Sequence, residues 1–375
     1  MNVPFYTSTR EYHDHKDEFD AAVQGVMERG DFILGNEVAE FEKEAAAWLG
    51  VKYAVGVASG SDALVLGSDI LGFKDGAEVL TPTFTFFAST SCVARLGGKP
   101  VLVDMDEETL EMDVAQAAGK VSDKTVGIIP VHLFLQPTPM QEVMELARTY
   151  NLKVLEDAAE AWGMESRVDG VWRKAGTIGD IGGFSFFPTK TLGSYGDAGL
   201  MVTNDEELYS KIKSYRVHGS SVKYHHDYIG YNSRLDSLQA AVLRVKLKIT
   251  NEAIAARARH AKHYTERLSG ISGLRIPLIG QGSRGVYYVY NILVPRRDEL
   301  AATLKGKGIG TSIYYPIPLH LQKCFAYLGY KEGDFPVAER VCRQILALPI
   351  FPELRDDEVD YVCDNVEDFY ITKKN

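Results

Sequence analysis

The sequence predicts an α/β protein: a mainly parallel sheet covered by helices on both faces, followed by a smaller αβ region. Three observations carry this. Short apolar runs alternate with helix-patterned segments over the first two-thirds of the chain. Those runs are apolar throughout instead of alternating, as strands buried on both faces must be. After about residue 235 the texture changes to one long helical pattern and then to a second, shorter αβ stretch. The 375 residues suit two domains. With 45% hydrophobic and 25% charged residues the composition is that of a globular protein, not of a disordered, collagenous or coiled-coil one.

Taken in order, VKYAVGVASGSDAL (51–64) reads as strand, glycine turn and helix, and AEVLTP (77–82) as a strand that ends at a proline-bounded loop. KPVLVDMD (99–106) is a strand closing on acids, and TVGIIPVHLF (125–134) a buried strand. PMQEVMELARTYN (139–151) is a helix with Val143, Ala147 and Tyr150 on one face. KVLEDAAEAWG, GGFSFFPTK and AGLMVTND each read as a strand breaking into a turn, and DEELYSKIKSYR as a polar helix. Asp236 and Gln239 look like a capping pair. They open a helix with an apolar stripe of Leu238, Val242, Val245 and Ile249 that runs to about residue 269. YYVYNILVP (287–295) is a strand and YYPIPLHLQ (314–322) a proline-rich loop. The domain boundary falls inside the long helix: a large domain over 1–250, with an N-terminal arm, and a small one over 251–375.

Net charge is −10 with histidines neutral. That disfavours a nucleic-acid or anionic-membrane partner. No apolar run reaches the length of a membrane helix, and MNVPFYTSTREYHDHKDEFD lacks the apolar core of a secretory signal. Cys92, Cys324, Cys342 and Cys363 are far apart with no CxxC pair. They read as reduced, buried thiols of a cytoplasmic protein. His13, His15 and the His225-His226 pair lack the partners of a zinc site, so no metal is expected.

In an open parallel sheet, ligands bind beyond the carboxyl ends of the strands. The residues there are Ser59-Gly60-Ser61, Thr83 to Phe87, His132, Asp157 to Glu160 and Ser185 to Lys190. A glycine and hydroxyls at a helix start suit an anion, and equally suit an ordinary cap. A strand-end carboxylate at Glu156-Asp157 can hold a cationic ring nitrogen or cap the next helix. Trp162 beside it reads as core. Lys190, among apolar residues, is expected to be desolvated, which lowers its pKa and leaves a nucleophilic amine. A surface turn lysine is the alternative. Ser185, five residues upstream, can reach the anion site of Ser61.

The stretches GNEVAEFEKEAAAWLGVKYAVGVASGSDAL, TPTFTFFAST, PVHLF, LEDAAEAWG, FSFFPTKTLGSYGDAG, GYNSRLDSLQAAVLRVKL and YYPIPLHLQ stand in one order along residues 30 to 350. In them the sequence resembles the DegT/DnrJ/EryC1/StrS family of nucleotide-sugar aminotransferases. The resemblance implies pyridoxal 5′-phosphate as cofactor and the aspartate-aminotransferase fold, fold type I. Lys190 matches the lysine that carries the cofactor, and Asp157 the acid that keeps the ring nitrogen protonated. Phe86 matches the aromatic on the ring face. Gly60, Ser61 and Ser185 match the phosphate cup, and Asn232 an asparagine that reaches the neighbouring subunit's phosphate, so a homodimer with shared sites is implied. Glu160 stands near the ring hydroxyl, where glutamine or histidine is common. Tyr315, His320, His225 and His226 are candidates for the sugar side. L-Glutamate is the implied amino donor. The segment after Lys190 resembles members that aminate C3 of dTDP- or UDP-linked 3-keto hexoses. A C4 aminotransferase, a sugar dehydratase on the same fold and a non-catalytic relative are the alternatives. Lys190 and Asp157, both present, weigh against the last two. Leu135 stands where the family commonly has glycine, a departure expected to reshape one wall of the pocket.

Overall fold

The computed structural model describes residues 1–372; the last three residues of the expected small domain lie outside it. Seven strands form the main sheet: β1 (Tyr53–Val57), β2 (Glu78–Pro82), β3 (Lys99–Val103), β4 (Thr125–Ile128), β5 (Lys153–Asp157), β6 (Ile181–Ser185) and β7 (Gly199–Thr203). Their order is β1-β7-β6-β5-β4-β2-β3. Only β7 runs against the rest, pairing antiparallel with both β1 and β6, while β6, β5, β4, β2 and β3 pair parallel. Almost every residue of these strands is buried, which is why they read as unbroken apolar runs.

Helices Gly60–Ile70 and Met140–Tyr150 connect strands of this sheet. The first is capped by Ser59, whose hydroxyl accepts the Asp62 N–H at 3.1 Å. The second buries Met140, Val143, Leu146 and Ala147. Tyr150 is exposed instead of completing that face: at the last helical turn the core stripe has already passed to Leu146 and Leu152.

The long helix spans Ser237–Leu268. Its expected capping pair is not made: Asp236 forms no side-chain cap, and the Gln239 carbonyl oxygen accepts the Tyr195 N–H at 3.0 Å instead. Its first half places Ala240 and Leu243 in a core with Phe41, Trp162 and Phe186. Its second half places Ala261, Tyr264 and Leu268 in another core with Tyr290, Ile292, Leu346 and Phe351. That second region is built on an antiparallel pair, Tyr290–Leu293 with Ile345–Leu348. The N-terminal arm joins it: Val3 bridges Ile309 and is buried in the same core. Cys92, Cys342 and Cys363 are buried, but Cys324 is exposed, on a short helical turn at the surface. Among the described residues no helix is long and apolar enough to cross a membrane, and no group of three or more His, Cys, Asp or Glu is placed to hold a metal ion.

Candidate active site

A cavity of about 440 Å³ opens beyond the carboxyl ends of β1, β2, β4, β5 and β6, and is closed by Tyr288, Tyr314 and Tyr315 from the second region. It gathers Gly60, Ser61, Phe86, Asp157, Glu160, Ser185, Lys190 and Tyr315.

At one end lies the N-terminus of helix Gly60–Ile70 against Ser185. A Cβ on Gly60 would stand 2.5 Å from the Ser185 Cβ, so only glycine permits this approach. Free helix N–H groups, the Ser61 and Ser185 hydroxyls and the helix dipole fit a phosphate. At the other end Asp157 is buried, with Oδ2 accepting the Ser89 hydroxyl at 2.6 Å and Oδ1 accepting the Ala159 N–H at 3.1 Å. Burial pushes its carboxyl above the usual range, against the pull of these two donors and of Lys190. A buried carboxyl of this kind suits a protonated ring nitrogen, whose charge favours the ionised form. The donor set therefore fits pyridoxal phosphate at both ends.

Lys190 Nζ stands 3.0 Å from Glu160 Oε1 and 4.4 Å from the centre of the Tyr288 ring. Burial, the largest single influence, pushes the ammonium down, but the charge and hydrogen bond of Glu160, joined by Tyr288 and Asp157, together outweigh it, and the net shift is upward from the ordinary lysine value. The expectation of a lysine lowered by desolvation fails here because a carboxylate faces the amine. Glu160 Oε2 accepts the Phe134 N–H at 2.9 Å.

Neighbouring residues on β5 diverge. Glu156 turns away from the cavity, accepting N–H groups of Gly176, Ile178 and Gly179 and a bond from His132 Nε2 at 3.0 Å. Asp157 faces the cavity, as alternation along a strand requires. Phe86 is 55% exposed at the rim, and Tyr315 packs its ring among Phe84, Phe86 and Phe134.

Other candidates lie elsewhere. His320 does not line the cavity. It is buried, with Nδ1 on the Thr83 hydroxyl at 2.9 Å and Nε2 on Glu339 at 3.1 Å, so both nitrogens are committed to joining two segments. His225 and His226 form one strand of an exposed hairpin outside the cavity, and His226 Nδ1 bonds the His218 carbonyl. Asn232 is exposed and likewise outside it. Leu135 lines a different cavity, beside Leu274, Tyr287 and Tyr290, so its side chain forms no wall of this one. The sequence reading missed Ser89, the second residue of the helix after TPTFTFF, and Tyr288, hidden inside a strand-like run.

The model of the DegT/DnrJ/EryC1/StrS aminotransferase family matches residues 13–367. The chain is 43% identical, over 99% of both chains, to a "pleiotropic regulatory protein" of Geobacillus stearothermophilus. It is 40% identical, over 95% of both chains, to a UDP-N-acetyl-3-dehydro-alpha-D-glucosamine 3-aminotransferase of Acidithiobacillus ferrooxidans. The solved structure of S. venezuelae DesV in complex with a ketimine intermediate superposes with a TM-score of 0.95 at 38% identity, covering 98% of both chains.

Proposed function

The chain belongs to the DegT/DnrJ/EryC1/StrS aminotransferase family, and from that premise we propose that it transfers an amino group from L-glutamate to C3 of a dTDP- or UDP-linked 3-keto hexose. It is a pyridoxal-phosphate-dependent sugar aminotransferase of fold type I. The observation that carries the reading is one cavity holding Lys190, a buried Asp157 and the Gly60–Ser185 cradle. The C3 assignment draws on the 3-aminotransferase relative and on the segment after Lys190.

When bound, the cofactor supplies an electron sink for cleavage of a carbon–hydrogen bond. Asp157 would keep the ring nitrogen protonated, Gly60, Ser61 and Ser185 would hold the phosphate, and Phe86 would lie against the ring. Lys190, once its amine is free, moves the proton. Phe86, Tyr314 and Tyr315 line the cavity, and with the second region closing over it they restrict water around the reacting atoms.

We assign the assembly as a cytoplasmic homodimer in which Asn232 serves the neighbouring site. Its support is the exposed position of Asn232 and the exposed apolar side chains of Phe32, Ile33, Leu34, Tyr224 and Ile229. His225 and His226, on the same exposed hairpin, are then available to a neighbour's substrate and not to their own. Sedimentation velocity tests the dimer, and unchanged cofactor affinity in Asn232→Ala refutes the shared site.

The decisive experiment is an absorbance spectrum with added cofactor, before and after L-glutamate. A Lys190-dependent band at roughly 410–430 nm that glutamate converts to one near 330 nm is expected from the cofactor chemistry. A band unmoved by any amino donor refutes the transaminase. Screening 3-keto against 4-keto nucleotide sugars then decides the position, and exclusive use of 4-keto acceptors refutes C3.

A further inference from the structure

Glu160 has two carboxylate oxygens, and each meets one fixed donor: Oε2 the Phe134 N–H at 2.9 Å, Oε1 the Lys190 amine at 3.0 Å. Both side chains are largely buried, at 7% and 14% exposure. The Phe134 N–H is presented by an unusual turn. Phe134 has φ of +62°, and the Leu135 N–H closes an i to i+2 bond on the Leu133 carbonyl at 2.8 Å. Such positive-φ turns are rare, cost energy and collect at functional sites. A glutamine in the same place has a single acceptor oxygen. It could satisfy Phe134 only by turning its amide NH₂ toward the lysine, donor against donor. The two-donor setting therefore calls for a carboxylate.

Tyr288 and Asp157 also favour the ammonium by charge, but neither is placed as Glu160 is, in hydrogen-bond contact with Nζ. The Tyr288 ring offers only its face, at 4.4 Å. Asp157 is engaged by Ser89 and Ala159. Tyr314 and Tyr315 are phenols whose own acidity is suppressed, chiefly by burial.

We propose that Glu160 is a catalytic residue, the fixed partner that holds a proton on Lys190 Nζ and accepts it when the amine must be free. The inference rests on Lys190 being the cofactor lysine. The step balances simply. One N–H bond of the ammonium breaks and its electron pair stays on Nζ as the nucleophilic lone pair. One O–H bond forms on Oε1, and an ion pair becomes a neutral amine and a carboxylic acid. In the opposite direction, a proton that Lys190 collects from a substrate carbon is held on Nζ by the same oxygen. Glu160 thereby makes Lys190 a stronger base than burial alone would leave it, which favours proton abstraction.

The test reads the lysine without the cofactor. Cofactor-free wild type and the isosteric Glu160→Gln are reductively methylated with formaldehyde and a borane, and the modification of Lys190 is followed peptide by peptide from pH 7 to 10. Only the neutral amine reacts, so its rate changes tenfold per pH unit below its pKa. In Glu160→Gln, Lys190 is expected to react at least tenfold faster than wild type at pH 7, with the gap narrowing as pH rises. Equal or slower reaction in the variant overturns the proposal. Should the variant fail to fold, the wild-type profile decides. Lys190 must gain reactivity at higher pH than the chain's exposed lysines, and gaining it at lower pH overturns the proposal. Borohydride reduction of the loaded wild type and peptide mapping separate the two readings. An adduct on another lysine refutes the role of Lys190, whereas an adduct on Lys190 with equal methylation rates refutes Glu160 alone.

Discussion

Ser89→Ala removes a single hydroxyl that touches no expected ligand and should still weaken cofactor binding strongly. The Ser89 hydroxyl donates to Asp157 Oδ2 at 2.6 Å, and it is in turn 2.9 Å from the Thr85 hydroxyl. All three residues are buried. A hydrogen bond to a charged group in such a place contributes about 1.5–3 kcal/mol. Losing it penalises only the ionised carboxylate, and burial already pushes Asp157 above the usual carboxylate range. Removing a donor that favours the ionised form raises the carboxyl further. Less of it is then ionised at neutral pH, and the ring nitrogen loses its counter-charge. The expected result is a cofactor Kd weaker by about ten- to a hundredfold at pH 7. The loss should shrink as pH rises, because higher pH restores the carboxylate. The assay is a fluorescence titration of cofactor-free protein with pyridoxal phosphate from pH 6 to 9. A Kd within twofold of wild type, or a loss that grows with pH, refutes the coupling. Thr85→Val leaves the Ser89–Asp157 bond in place and should cost less.

Gly60→Ala brings a methyl group to 2.5 Å from the Ser185 Cβ. A destabilisation of about 1–3 kcal/mol is expected, read by thermal denaturation, together with a large loss of phosphate affinity. Glu111 is a buried carboxyl bonded by the Thr138 hydroxyl at 2.9 Å, and burial holds its pKa well above the usual range. Its sign follows: the folded state keeps a proton that the unfolded state releases, so Glu111 costs stability progressively as pH climbs from about 4.3 toward the folded value. Glu111→Gln should therefore gain Tm relative to wild type between pH 5 and pH 8, and a constant difference would refute the shift. Arg10 grips the fully buried Glu358 through both guanidinium nitrogens, at 2.7 and 2.6 Å, and also donates to the Glu353 carbonyl. Among the described residues Arg10→Ala leaves that carboxylate with the backbone N–H and the largely exposed guanidinium of Arg355 and should cost about 2–3 kcal/mol in urea denaturation; a cost under 0.5 kcal/mol would mean that Arg355 suffices.

The strands were legible because their burial on both faces writes itself as continuous apolar runs, and the strand ends then located the cavity. What stayed illegible was set by distant partners. Nothing around His320 in the chain announces Thr83 and Glu339, 237 and 19 residues away, which turn a candidate substrate contact into a structural tie. Gln239 is spaced to cap its own helix, yet its oxygen is taken by Tyr195 across the fold. Lys190 was found from its apolar flanks, but its charge depends on Glu160, thirty residues earlier. Burial inferred from neighbours in sequence gave the wrong direction for its pKa.

The segment Leu155-Glu156-Asp157-Ala158-Ala159-Glu160 concentrates this lesson. It places three acids within five residues, all buried, and composition treats them alike. Strand alternation sends Glu156 and Asp157 to opposite sides. Glu156 meets three backbone N–H groups and His132, so its charge is spent on holding the loop 176–179 against β5. Asp157 meets one hydroxyl and one backbone N–H, too few to offset its burial, and that deficit is what a cationic ring nitrogen can fill. Glu160, past the strand end, meets one backbone N–H and one amine, and that amine is the group proposed above to move the proton. The donors each acid meets, and not the acid itself, separate a structural residue from the proposed cofactor anchor and the proposed proton carrier.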